Sequence, residues 1–198
     1  GSRMDIAKVL LSNMLDSLRD QELVEVGLRV YGHQFPVPPQ VCNDTRLEVG
    51  FGKNKINQIQ ARLKTLKPKG TTPIAIAIEQ GAYDFPQCDN CRNIIILITD
   101  GIETCEGDPC DVSRLFQKKK IILKPFVIGI GLSEEDKKSF DCVGTFYDAK
   151  DPETFTNVLK VIISQVLNST TVQVNLLDEW DNPTETNIPI TFYDGFSG

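Results

Sequence analysis

Ile94-Ile95-Ile96-Leu97-Ile98-Thr99-Asp100-Gly101 is the stretch whose reading decides the fold. It is an unbroken aliphatic, β-branched run that stops on a carboxylate and a glycine. Apolar residues without alternation predict a strand covered on both faces, as in a parallel sheet. The end of such a strand lies at the carboxyl edge of the sheet, where open α/β folds bind their ligands. Asp100 is therefore placed either to hold a cation or to cap the following helix.

Working outward, strands and helices alternate on the C-terminal side. Asp108-Pro109 reads as an N-cap followed by a proline at the first helical position. That helix runs to about residue 120, where Lys118-Lys119-Lys120 suits the negative end of the helix dipole. A strand is expected at 125–130. Ser133 and Asp136 resemble a capping box opening a short helix over 133–142. A short strand at 145–147 and a helix begun by Asp151-Pro152 and reaching about residue 168 complete the alternation. Right-handed crossovers and a parallel sheet follow.

On the N-terminal side, residues 4–18 carry apolar groups at helical spacing. Residues 24–31 alternate as a strand, 32–40 form a proline-rich loop, and Leu47, Val49 and Phe51 alternate again. No helix intervenes, so those two strands pair antiparallel. A helix over 55–66 follows. Thr72 reads as the N-cap and Pro73 as the first residue of a third helix, whose Ile-Ala repeat implies unusual burial. At residue 169 the pattern changes to hairpin-like alternation. The expected organisation is a first domain over 1–168 and the start of a β-sandwich-like domain over 169–198, both incomplete.

Bulk properties narrow the function. A net charge of -6 on 198 residues argues against nucleic-acid binding and is compatible with cation binding. No run approaches the roughly 20 apolar residues that span a bilayer. Six cysteines favour an oxidising compartment, extracellular, periplasmic or at the cell surface. A zinc site drawn from Cys88-x2-Cys91 and Cys105-x4-Cys110 is the competing reading. By position along the elements, Cys42, Cys105 and Cys110 belong near the carboxyl edge of the sheet, and Cys88, Cys91 and Cys142 near the opposite edge. Cys105–Cys110 and Cys88–Cys91 are then plausible bridges, Cys42–Cys105 competes with the first, and one or two cysteines are expected to stay unpaired.

Three stretches resemble the von Willebrand factor type A domain family: 3–8 at the start of its first helix, Lys69-Gly70-Thr71-Thr72-Pro73-Ile74-Ala75 at its threonine loop, and 94–101 at its central strand. The wording of residues 99–110, TDGIETCEGDPC, is especially similar to a bacterial, exported branch. The resemblance covers about residues 3–168. It implies a doubly wound, mostly parallel sheet. It also implies a metal-ion-dependent adhesion site in which Thr72 and Asp100 take the threonine and aspartate roles. Such hydroxyl and carboxylate oxygens suit Mg2+ or Mn2+, with a partner's carboxylate filling an open position. The family's D-x-S-x-S loop follows a first strand ahead of the helix at Met4, and only Gly1-Ser2-Arg3 precedes that helix here. The expectation is a sheet lacking its first strand, a groove with unpaired backbone groups, and weak or absent metal binding by this chain.

The local alternatives are plain. Asp100 could be a loop cap and Thr72 an N-cap. Asp44, Glu103 and Asp108 are acidic residues expected near the same rim, as solvated or capping groups or in a metal's outer shell. His33, the only histidine, reads as structural, since no nucleophile–histidine–acid spacing surrounds it. Gly129-Ile130-Gly131 lacks the rest of a dinucleotide fingerprint. The leading expectation is a non-enzymatic, cation-dependent protein- or surface-binding module of an exported protein. A structural or assembly module without metal is the alternative, and a flavodoxin-like enzyme stands behind both.

Overall fold

The computed structural model describes residues 3–88, 91–118, 123–149, 151–168, 178 and 180. The elements are α1 (Arg3–Ser17), β1 (Leu28–Tyr31), β2 (Thr45–Val49), α2 (Ile56–Thr65), α3 (Ile74–Tyr83), β3 (Asn93–Thr99), α4 (Pro109–Lys118), β4 (Leu123–Gly129), α5 (Glu134–Lys138), β5 (Thr145–Asp148) and α6 (Pro152–Asn168). The expected second domain over 169–198 lies almost entirely outside the described residues.

The chain is a mixed α/β fold with a parallel sheet. β3, β4 and β5 are hydrogen-bonded in that order, each pair parallel, with Leu97 opposite Val127 and Ile128 opposite Tyr147. β1 and β2 form a separate antiparallel pair, with Tyr31 opposite Thr45. Among the described residues no strand lies between β1 and β3. Contact between the two sheets includes the Tyr31 hydroxyl on β1, which donates to the Ile98 carbonyl on β3 at 3.3 Å. α3 backs both sheets: a Cβ at Gly81 would meet Ile95 Cδ1 at 3.4 Å and Arg29 Cδ at 4.0 Å.

Three apolar clusters hold the layers together. One joins α3 to Leu97, Phe116, Val127, Phe140 and Val143. A second packs Leu15 and Leu18 against α2 and Val49. The third sets Phe155, Leu159 and Ile162 of α6 against Phe126 and Ile128. α3 is as buried as its Ile-Ala repeat implies, with Ile74, Ala75, Ala77, Ile78 and Ala82 all in the interior.

Several local expectations shift. β1 begins at Leu28 rather than at residue 24. The capping box at Ser133 is present in both directions, but its helix stops at Lys138 and the chain turns through Phe140 instead. β3 is less covered than its composition implies: of its seven residues only Leu97 and Thr99 are fully buried. The reason is topological: among the described residues β3 has one strand neighbour and β4 has two.

Candidate functional site

The loops at the carboxyl ends of β1 and β3 and at the head of α3 form one interlocked rim. β3 ends at Thr99, whose Oγ1 donates to the Gly101 carbonyl at 2.8 Å and accepts from the Gly101 amide at 3.3 Å. This closed turn leaves Asp100 exposed. A Cβ placed on Gly101 would lie 3.9 Å from Thr72 Oγ1, so the turn carrying Asp100 abuts the Thr72 hydroxyl. The structure therefore brings the two sequence-predicted site residues to one place.

Both bland roles are filled by other residues. α3 starts at Ile74, with Pro73 as its cap and no side-chain capping bond, so Thr72 stands one residue further out than an N-cap. This corrects the sequence reading: a proline at the cap position displaces Thr72 from it. Amides at the head of α3 still need acceptors. Glu103 supplies one from the β3–α4 loop, its Oε2 accepting from the Ala75 amide at 2.7 Å while Oε1 accepts from the Cys105 amide at 2.9 Å. Asp108, not Asp100, serves α4, accepting from the Cys110 amide at 2.8 Å.

Thr104 ties the rim tighter. Its Oγ1 accepts from the Thr72 amide at 2.9 Å, and its amide donates to the Thr72 carbonyl at 3.1 Å. Thr71, buried beside Thr72, has an Oγ1 with no hydrogen-bond partner among the described residues. Sequence reasoning passed over Thr71 and Thr104, and no spacing signal marks either.

The 32–44 loop is latched onto this rim. Asp44 is fully buried rather than solvated; its carboxylate accepts from the Gln34 and Phe35 amides at 3.1 Å and from Gln34 Nε2 at 3.0 Å. The Lys69 amide donates to the Gly32 carbonyl at 2.8 Å, and Gln40 Nε2 donates to the Thr104 carbonyl. Gly32 sits at φ +63°, where a Cβ would come within 2.1 Å of the Thr71 carbonyl, so only glycine allows the loop to lie this close. The Cys42–Cys105 disulfide closes the same seam.

The other bridges are Cys88–Cys91 and Cys110–Cys142, and none of the six cysteines is free. The Cys105–Cys110 pairing, the expected unpaired cysteines and the placement of Cys142 at the far edge are thus corrected. The turn after α5 carries Phe140 into the same cluster as Phe116 of α4, and this brings Cys142 alongside Cys110.

Tyr31 lies under the rim. Burial pushes its phenol up to about 12; a hydrogen bond with Thr99 opposes this, and the nearby Asp100 and Glu103 charges reinforce it. His33 has a structural setting, as expected: its ring is buried with Nε2 2.7 Å from Glu48 Oε1, while Arg62 Nε donates to Glu48 Oε2 at 2.6 Å.

Thr72 and Asp100 offer hard oxygen donors of the kind Mg2+ or Mn2+ prefers. The two residues fit such an ion as part of a coordination shell, since octahedral binding needs about six oxygens. Among the described residues no group of three or more His, Cys, Asp or Glu side chains gathers into a metal-holding cluster.

Comparison with known proteins gives the family and the fold. The von Willebrand factor type A domain model matches residues 1–161. YwmC, an uncharacterized protein of Bacillus subtilis, is 30% identical over 147 residues, a match covering 72% of this chain and 63% of YwmC. Among solved structures, proximal thread matrix protein 1 of the mussel byssus, with a zinc-occupied MIDAS motif, aligns with a TM-score of 0.62 at 16% identity, over 81% of this chain and 42% of that one. An aerotolerance-related membrane protein of Bacteroides fragilis aligns with a TM-score of 0.62 at 19% identity, over 83% of this chain and 88% of that one. At these identities the structures speak for the fold, while the match over 1–161 shows that the chain belongs to the von Willebrand factor type A domain family.

Proposed function

We propose that this chain is a non-enzymatic binding module of an exported protein, acting extracellularly, in the periplasm or at the cell surface. It engages a protein or surface ligand through a divalent cation held in part by Thr72 and Asp100. The cation, Mg2+ or Mn2+, supplies a Lewis-acidic position for a carboxylate of the partner. The chain's own residues position the two donors. Glu103 and Asp108 take over the capping duties at α3 and α4, and Thr104 pins the Thr72 backbone.

The observation that carries this reading is the pairing of an exposed Asp100 with a Thr72 hydroxyl that α3 does not use as a cap. A strand seated between β1 and β3, bearing the family's D-x-S-x-S loop, would complete the oxygen set. Three disulfides support the oxidising location. Among the described residues no helix is long and apolar enough to cross a membrane.

Calorimetric titration of the full-length protein with Mn2+ tests the reading. Asp100→Ala should weaken binding by about tenfold or more, on the scale of losing a supporting group at a metal site. Asp111→Ala, which removes an exposed carboxylate on α4 paired with Arg114, should leave it unchanged. Equal Mn2+ affinity for wild type and Asp100→Ala would refute the cation role and favour the structural or assembly module.

A further inference from the structure

The three disulfides differ in what they join. Cys42–Cys105 spans 63 residues and locks the 32–44 loop to the candidate rim. Cys110–Cys142 spans 32 residues and fastens the head of α4 to the turn after α5. Cys88–Cys91 joins cysteines three positions apart within the connection from α3 to β3 and fastens no element to another. Loop-closure entropy grows with the length of chain enclosed, so this bridge constrains the unfolded chain least.

Exposure sets this bridge apart as well. Cys88 and Cys91 are both exposed, whereas Cys42 is exposed but its partner Cys105 is partly covered, and so are Cys110 and Cys142. An incoming thiolate must approach a sulfur in line with the S–S bond, so access governs which disulfide exchanges. The C-x2-C spacing keeps the two thiols near each other once opened, which favours clean two-electron cycling over scrambling. The pair also precedes the amino end of β3, while Thr72 and Asp100 lie at the carboxyl end, so opening it leaves the rim's latches untouched.

We propose that Cys88–Cys91 is a thiol–disulfide exchange site whose substrate is a dithiol. A thiolate of the dithiol attacks one of the two sulfurs. The S–S bond breaks, its electron pair leaves on the other cysteine as a thiolate, and that thiolate takes a proton from water. The second thiol of the reductant, deprotonated, then attacks the mixed disulfide and releases the remaining cysteine, which is protonated in turn. The dithiol ends as a disulfide, and Cys88 and Cys91 end as two thiols, having gained two electrons and two protons. The other two bridges stay closed throughout.

The test exposes the native full-length protein to graded dithiothreitol, traps thiols by rapid alkylation and maps them by peptide mass spectrometry. Cys88 and Cys91 should become labelled together at a reductant concentration at least about tenfold below that labelling Cys42, Cys105, Cys110 or Cys142. The labelled protein should keep its native circular dichroism, and the double variant Cys88→Ser/Cys91→Ser should fold with an unchanged spectrum. Labelling of Cys88 and Cys91 only together with the other four, or only after unfolding, overturns the proposal. So does loss of native circular dichroism when these two alone are opened.

Discussion

The two sheets of this molecule are held by different forces. In the parallel sheet, Phe126, Val127 and Ile128 of β4 are 0% exposed and lie between apolar layers from α3 and α6. The β1–β2 pair also rests on an apolar cluster through Val49, but polar locks surround it. Arg29 grips Asp84 with two bonds of 2.6 and 2.7 Å, Glu48 is shared between His33 and Arg62, Asp44 caps the 32–44 loop, and Cys42–Cys105 closes its end. Dispersion and burial dominate at β4, flanked by the Cys110–Cys142 bridge and the Lys137–Asp148 ion pair; the pair beside it leans more on charge, together with the Cys42–Cys105 bridge. The candidate rim lies where these two regimes meet, and the half richer in polar locks carries the loop that latches it.

The largest effect should fall in the parallel sheet. Ile128→Ala should cost about 3–4 kcal/mol in denaturant unfolding, and the same change at half-buried Ile96 on β3 only about 1–2 kcal/mol. Equal costs would break the distinction between a strand with two neighbours and a strand with one.

Glu48→Gln comes next. Arg62 first, then His33, hold the Glu48 carboxyl at about 2, and its side chain is 7% exposed. The folded value lies below the unfolded one, so the stabilisation is complete above the ordinary carboxylate range near 4.5. It is lost as the pH falls from there through about 2. Glu48→Gln should cost about 2–3 kcal/mol at neutral pH and flatten the acid limb of the stability curve. An unchanged acid limb would show that the β1–β2 pair does not rely on this network.

Smaller still is Asp44→Asn, which keeps an acceptor but removes the charge behind three hydrogen bonds. It should cost about 1–2 kcal/mol in thermal or denaturant unfolding. Because Asp44 holds the 32–44 loop, the same variant should raise proteolytic cleavage there while leaving β4 protected. Uniform destabilisation, with no local increase in cleavage, would dissolve the boundary between the two regions.

Much of this organisation is legible in the sequence because local chemistry writes it there. The Ser133–Asp136 box, the Asp108-Pro109 and Asp151-Pro152 starts and the Ile-Ala repeat of α3 are decided within a few residues. The pairing of Thr72 with Asp100 is legible only through family resemblance, since 28 residues separate Thr72 from the start of the turn at Asp100. What sequence reasoning loses is long-range. Apolarity predicts that β3 wants cover, but the number of strand neighbours is a property of the assembled sheet. The Cys110–Cys142 bridge depends on how the turn after α5 folds back onto α4, which no spacing encodes. Asp44 is the same lesson in reverse: it reads as a solvated rim acid, and loop backbone amides 9 and 10 residues upstream bury it.

The central structural claim is that β3, whose carboxyl end carries Asp100, has a strand partner on one side only among the described residues, while β4 is paired on both. Native-state hydrogen exchange of this 198-residue chain, read amide by amide, tests it directly. The β4 amides should be fully protected, and β3 should show an alternation in which every second amide, pointing away from β4, exchanges faster by about an order of magnitude or more. Uniform protection along β3 equal to that of β4 would contradict it.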